Sequence, residues 1–322
     1  MLLIADLFTE LGFNIDVIRF NKKIDANNFK NYDLIFGLEP NFEKVCKKNP
    51  KAKKIYYATG AYYKHQNYVI KNRTDKFNNK HNVHLEYKRL IREHNSVRLA
   101  DKIIQIGNKH TIETYPEKFR DKIFLIRQTG HEFEDFDLEK KTNKFSSKNY
   151  LWFAGKGNIL KGLDLVIEFF LKNDNLNLFI VGDLDKSFKK YYFNQIKKAN
   201  NIFYKGFLTI NSDELMDLAY KCSFVVLPSS SEGGVPGSII NMMKLGLIPI
   251  VSKYASCVNK NAAEIIINDI SIEGLKEAIY KSQSFNENEL IKGFKTNHKF
   301  ANENFNEDTF KNDFKKVLKT IN

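Results

Sequence analysis

The sequence predicts an α/β protein made of two doubly wound parallel sheets, and three observations carry that reading. Short β-rich runs alternate with longer amphipathic stretches along the whole chain, the pattern of parallel strands joined by helical crossovers. The 322 residues, 43% hydrophobic and 13% aromatic, can fill two ordinary cores. A polar segment, acid-rich and then Lys/Ser-rich at His131–Asn149, divides the alternation into two halves as an interdomain linker would.

The elements follow in order. The chain opens on a helix, Leu2–Leu11, apolar at 2, 3, 4, 7 and 11, with no strand before it, so the first sheet reads as begun late or one strand short. Strands are expected at Asn14–Phe20, Tyr32–Gly37, Lys54–Ala58, Lys102–Ile106 and Ile123–Arg127, and further helices at Leu85–Ala100 and Lys109–Tyr115. The second half repeats the rhythm, with strands at Tyr150–Ala154, Leu176–Val181, Ile202–Lys205, Ser223–Pro228, Ile248–Ser252 and Ile265–Ile267. Its helices fall at Lys161–Leu171, Lys186–Ala199, Ser212–Lys221, Gly237–Leu245 and Ile272–Ser282. The expected domains are 1–146 and 147–304. A tail helix within 305–322, with Phe305, Phe310, Phe314, Val317 and Leu318 on its apolar side, is expected to pack back on the first domain.

Composition narrows the function. No run of about 18 uncharged apolar residues could span a membrane, and Met1–Ile4 is too short for a signal-peptide core, so the chain reads as cytoplasmic. Cys46, Cys222 and Cys257 lack CxxC spacing and read as buried small hydrophobes rather than disulfide or zinc ligands. The net charge of +13 is uneven: residues 1–150 hold 29 Lys/Arg against 19 Asp/Glu, and 51–100 alone hold 12 against 3, interleaved with Tyr56, Tyr57, Tyr62, Tyr63 and Tyr68. Such a surface can meet an anionic membrane or an acidic glycan, although solvated lysines give the same pattern. With no RNA-binding or helix-turn-helix motif, nucleic acid is not expected.

Three segments at strand ends carry chemistry, where open α/β sheets bind ligands. In AGKGNILKGLD, 154–164, Gly155 and Gly157 let the backbone approach a ligand. Lys156 and Lys161 bring positive charge, and a helix start near Lys161 offers free N–H groups, a combination suited to a diphosphate. The spacing fits neither a P-loop nor GxGxxG. Gly182 in IVGDLD and Gly206 in YKGF end two further strands. The third segment, LPSSSEGGVPGS, delivers Glu232 beside Gly233 and Gly234 ahead of the helix that begins at Gly237. Glu232 suits sugar hydroxyls, leaving phosphate to amides and lysines. Asp183-Leu184-Asp185 has metal-ligand spacing but follows a strand as a loop would, and no metal site is expected.

Taken in order, AGKGNILKGLDLVIE, NLFIVGD, IFYKGF, ELMDLAYKCSFVVLPSSSEGG and MMKLGLIPIVS resemble the donor half of the retaining GT-B glycosyltransferases of the family 4 (group 1) type, over most of 150–255. The resemblance implies two Rossmann-like domains facing a central cleft. It also implies metal-independent, retaining transfer of a hexosyl group from a nucleoside diphosphate sugar to a glycan or lipid-linked acceptor, with no cofactor. Lys156 and Lys161 match the family's basic pair on the donor diphosphate, with Lys where the first is commonly Arg. Gly182, Gly206 and Phe207 match its strand-end pattern, the last two near the base. Glu232 matches the first of two glutamates separated by seven residues, the one that contacts the donor sugar.

The second glutamate is not matched. Asn241 takes its place, separated from Glu232 by eight residues rather than seven, and a Gly237-Ser238 pair resembles a subgroup with GLIPIVS after the helix. Asn241 can still bond a ribose diol. On the acceptor side, Gly60 in YYATG, His65, His94 and Asn108 are the cleft candidates, His65 also reading as an ordinary loop histidine. The pathway implied is cell-surface polysaccharide or glycolipid synthesis. A GT-B epimerase and a degenerate nucleotide-sugar-binding subunit share the same pattern.

Overall fold

The computed structural model describes residues 2–19, 22–24 and 30–320. Phe20, the end of the strand expected from Asn14, and residues 321–322 of the expected tail lie outside them. Helix α1 (Leu2–Glu10) precedes a four-stranded sheet of β1 (Leu34–Gly37), β2 (Lys53–Ala58), β3 (Lys102–Ile106) and β4 (Ile123–Ile126). These lie side by side in chain order, all parallel, with Ile55 opposite Lys102 and Ile103 opposite Ile123. Helices α2 (Asn41–Lys48), α3 (Tyr63–His81), α4 (Ser96–Leu99) and α5 (Lys109–Glu113) fill the connections, and α6 (Leu138–Lys144) leads into the second half.

The second sheet comprises β5 (Ser146–Phe153), β6 (Asn177–Val181), β7 (Ile202–Gly206), β8 (Cys222–Leu227), β9 (Ile248–Ser252) and β10 (Ile265–Ile267). Their order is β10-β9-β8-β5-β6-β7, all parallel, so the order reverses at β5 and its exit borders a crevice. Its helices are α7 (Leu163–Phe170), α8 (Lys186–Lys198), α9 (Asp213–Lys221), α10 (Gly237–Lys244) and α11 (Ile272–Gln283), followed by α12 (Glu287–Asn304) and α13 (Glu307–Lys319). Every residue of β8 and β9 is buried, which is why CSFVVL and IPIVS read as unbroken rather than alternating runs.

Several expectations are corrected. The described part of Asn14–Phe20 is coil with Ile15 and Val17 exposed, because an alternating run needs a neighbouring strand and none lies beside it among the described residues. Leu85–Ala100 is mostly irregular coil and helical only at Ser96–Leu99. The long helix there is α3, whose buried face, Tyr63, Gln66, Ile70, Thr74 and Phe77, is too polar to announce itself. The segment His131–Asn149 is no bare linker: it holds α6, and Lys141 on it is fully buried. The Lys141 ammonium donates to the carbonyls of Ala219 and Cys222 at the end of α9, and burial pulls its pKa down to about 7. Cys46 and Cys222 are buried, whereas Cys257 is only half-buried, its Sγ 3.5 Å from Met243 Sδ.

Each half lends a helix to the other. Phe77 of α3, with Leu85 beyond it, joins the second core. On the same face Arg73 Nη2 donates to both carboxylate oxygens of Asp164, at 2.8 and 2.9 Å, and Lys80 and His81 hold Glu168. In return, Phe310, Phe314, Val317 and Leu318 of α13 pack with Leu7, Phe8, Ile55, Ile104 and Ile126 on the first sheet. Arg127 at the exit of β4 clamps Asp313 of α13 at 2.8 and 2.9 Å. Although burial raises it, the Asp313 carboxyl is held below its usual range by that guanidinium.

Candidate active site

The exits of β5, β8 and β9 in the second sheet meet the exits of β2 and β3 in the first. The segment after β5 coils as a tight turn: Lys161 N bonds Gly157 O, Gly162 N bonds Ile159 O and Leu163 N bonds Asn158 O. Helix α7 starts at Leu163, two residues after Lys161, and the N–H groups of Lys161, Gly162 and Leu163 are already taken. The amides of Gly157 and Asn158 both donate to Asp185 Oδ2 at 3.1 Å, while Asn158 Oδ1 accepts from Asp185 N at 2.7 Å. This loop is thus braced by a carboxylate of the DLD segment, which holds it in place. Gly155 faces open space, Lys156 is exposed, and Arg89 from the first half bonds the Lys156 carbonyl at 3.3 Å.

Lys161 behaves differently from Lys156. Its side chain is 8% exposed and pairs directly with Glu232, itself 11% exposed. The loop after β8 is pinned to the same turn by Ser230 N and Ser229 Oγ, both donating to Leu160 O at 2.9 and 3.3 Å. The sequence fragments around 161 and 232 therefore converge on one ion pair. Beyond it, Gly237 and Ser238 open α10 ahead of its first internal bond, Ile239 N to Pro236 O, and leave two amides directed along the helix axis. Gly237 faces open space as well.

The two halves touch through backbone. A Cβ on Gly233 would stand 2.7 Å from both Gly60 Cα and Thr59 O, and one on Gly234 would strike Gly107. Only glycines allow this approach, so Gly60 and Asn108 are brought to the Glu232 loop. Asn108 caps α5 through its Oδ1 and donates through Nδ2 to the carbonyls of Ser256 and Lys253 at 3.0 and 3.2 Å, tying the first sheet to the loop after β9. Gly182, at φ +130°, packs against the Ala154 carbonyl and donates to Gly206 O at 2.7 Å, so its role in the fold is to let β6 leave the sheet. Phe207 beside it is 68% exposed.

His65, on the first turn of α3, lies 5.8 Å from the Tyr254 ring, with its Nε2 buried and unpartnered. Burial and the Lys253 ammonium hold its pKa below the usual imidazole range, so it is neutral at pH 7. His94 turns into the first half: its Nδ1 is 2.8 Å from Glu39 Oε1 and its ring sits 4.7 Å from Tyr63 and 5.9 Å from Tyr56. Asn241 accepts from His131 N at 2.8 Å, which commits its oxygen to the interdomain segment rather than to a ribose. Lys244, one turn on, pairs with Glu132 at 2.6 Å. The sequence places Ser230 and Ser231 in the cleft without a role, and the structure buries their hydroxyls beside Glu232 without partners; Arg89 and Lys253 are not announced by it. The Ser-Ser-Ser run was the available signal for the first two. For Arg89 there was none, because nothing local placed it over Gly157.

Over residues 134–303 the sequence matches the family of glycosyl transferases group 1. No curated protein matches it in sequence. Among solved structures, Anabaena HepE in complex with UDP-glucose is similar over 90% of this chain and 79% of its own, at 14% identity and a TM-score of 0.61. A mutant of S. aureus TarM, solved with fondaparinux, α-GlcNAc-glycerol and UDP, is similar over 86% of this chain and 53% of its own, at 14% identity and TM-score 0.58. WaaG, a glycosyltransferase involved in lipopolysaccharide biosynthesis, is similar over 80% and 75%, at 13% identity and TM-score 0.52. At these identities the likeness shows the fold, which is GT-B, two Rossmann-like domains across a cleft. No helix among the described residues is long and apolar enough to cross a membrane.

Proposed function

The chain belongs to the group 1 glycosyltransferases, and on that premise we propose that it moves a hexosyl group from a nucleoside diphosphate sugar to a hydroxyl of a glycan or lipid-linked acceptor, with retention of configuration. The observation that carries the reading is the Lys161–Glu232 pair beside the open N-terminus of α10, at the exits of β5 and β8. UDP or UDP-glucose in the similar structures supports a nucleotide-sugar donor of that kind. In the proposed mechanism the donor separates the ion pair: Lys161 turns to the diphosphate and Glu232 accepts from sugar hydroxyls. Charge developing on the leaving diphosphate is then stabilised by Lys161, Lys156 and the Gly237 and Ser238 amides, a preorganised electrostatic contribution that needs no metal or cofactor. Gly155, Gly157, Gly206, Phe207, Gly233 and Gly234 line the donor's path, and Gly60, His65 and Asn108 face it from the first half.

The setting we propose is cytoplasmic synthesis of a cell-surface polysaccharide or glycolipid, with the basic first half resting on an anionic membrane surface. A second reading, binding without turnover, is favoured by one observation: Asn241 stands where the family places its second glutamate. Thermal shift with UDP-, ADP- and GDP-sugars tests the proposal, since a ligand at 100 times its Kd stabilises the native state by about 2.7 kcal/mol. A stabilising donor, followed by transfer or slow hydrolysis that survives EDTA, is the expected result. No stabilisation by any donor would end the proposal, stabilisation without turnover would select the binding reading, and loss of turnover with EDTA would overturn metal independence.

A further inference from the structure

We propose that the cavity between the halves beside the Glu232 loop is the acceptor pocket, and that it takes an uncharged sugar ring. The inference rests on the donor site proposed above. The sheet order β9-β8-β5 sets three strand exits in a row along the cleft. Lys161 follows β5 and Glu232 follows β8, so a donor whose diphosphate lies at the first places its transferable sugar at the second. The next exit in the row is that of β9. There, next to Val235, a cavity of about 150 Å³ opens between the halves, roughly ten times the ~10–15 Å³ that admits one water. Cys257 and Asn259 line it after β9, Gly107 and Arg127 come from the first sheet, and Phe300 and Asn304 close it from α12. Both halves contribute, as an acceptor site completed by cleft closure requires.

The lining identifies the class of ligand. No carboxylate or lysine is among the lining residues, and the one charged group, Arg127, spends its charge on Asp313 and a third N–H on Asn304 Oδ1 at 3.0 Å. An anion would therefore find no uncompensated cation there. What the cavity does offer is one end of each of two amides, since Gln128 gives its Nε2 to Val235 O and Asn259 its Oδ1 to Asn261 N, with apolar faces from Phe300 and Phe305, which meet edge to face at 78°. Hydroxyls on a ring with an apolar face need that mixture, as small-molecule sites generally do.

Saturation-transfer NMR on the full chain tests this, with UDP present and the α- and β-methyl glycosides of glucose, galactose, mannose and N-acetylglucosamine as probes. At least one glycoside should receive saturation from the native protein. Asn259→Trp, which plugs the cavity from a loop outside the donor site, should abolish that signal while the UDP signal persists, and Val235→Phe on the facing wall should do the same. Persistence of UDP shows that each variant is folded. Glycoside signal from neither protein, or signal undiminished in both variants, would overturn the pocket. Loss of the UDP signal from the native protein would instead overturn the donor site on which it rests.

Discussion

Both halves stack parallel strands, yet the six-stranded sheet keeps β8 and β9 wholly buried under its own helices, whereas the four-stranded sheet depends on α13 for much of one face. The loan in the other direction is smaller and more polar: α3 gives the second core Phe77 but also brings Arg73, Lys80 and His81 to Asp164 and Glu168. The difference separates two kinds of work. The second half is a self-covered platform for the groups proposed to hold the donor. The first half is the facing wall, positioned by apolar contact with α13 and by ion pairs through α3.

Phe314→Ala should break that comparison most visibly. Phe314 is fully buried, so truncation should cost about 3–5 kcal/mol, and hydrogen exchange should rise across β1–β4 well before β5–β10. Equal loss of protection in both sheets would show that the first is no more dependent than the second. Next, Arg73→Met leaves Asp164 buried and uncompensated, a loss of about 3–5 kcal/mol measured by denaturant melts. Adding Asp164→Asn should recover most of it, since burial already favours the neutral acid there.

Lys161→Met confines the effect to the platform. Turnover should fall by about 10²–10³-fold, the magnitude expected for one preorganised electrostatic donor, with exchange in the first sheet unchanged. Because the variant strands Glu232, a second one carrying Glu232→Gln as well should restore the melting temperature without restoring turnover; recovered turnover would assign the pair a structural role only. The smallest effect is on pH. The Asp313 carboxyl lies below its unfolded value of about 3.9, so its contribution is complete above that value and is lost as pH falls through the native pKa. Acid titration followed by exchange should loosen α13 and the first sheet first, and Asp313→Asn should remove that step.

The same contrast governs what was legible in the sequence. In the second half Ile248–Ser252 and Ile265–Ile267 match the structure at both ends, because strands buried on both faces are written as bounded apolar runs. In the first half Asn14–Phe20 alternates as a strand should but has no neighbour to pair with among the described residues. Helix α3 was unreadable since its contacts are ionic and lie nearly a hundred residues away. At the site, the convergence of Lys161 and Glu232 followed from motif order, while the commitments of Asn241 and His94 did not. Those depend on His131 and Glu39, and no local pattern links them.

The position of α13 also orders events during synthesis. It emerges from the ribosome some 180 residues after β4, a delay of about ten to forty seconds at ~5–20 residues per second. Until it does, Ile55, Ile104 and Ile126 lack the cover of Phe310, Phe314, Val317 and Leu318 and keep that of Leu7 and Phe8 on α1, while every strand of the second sheet and helices α6–α12 are made within the interval. The half made first is thus finished last, its sheet keeping one face only partly covered until α13 is made.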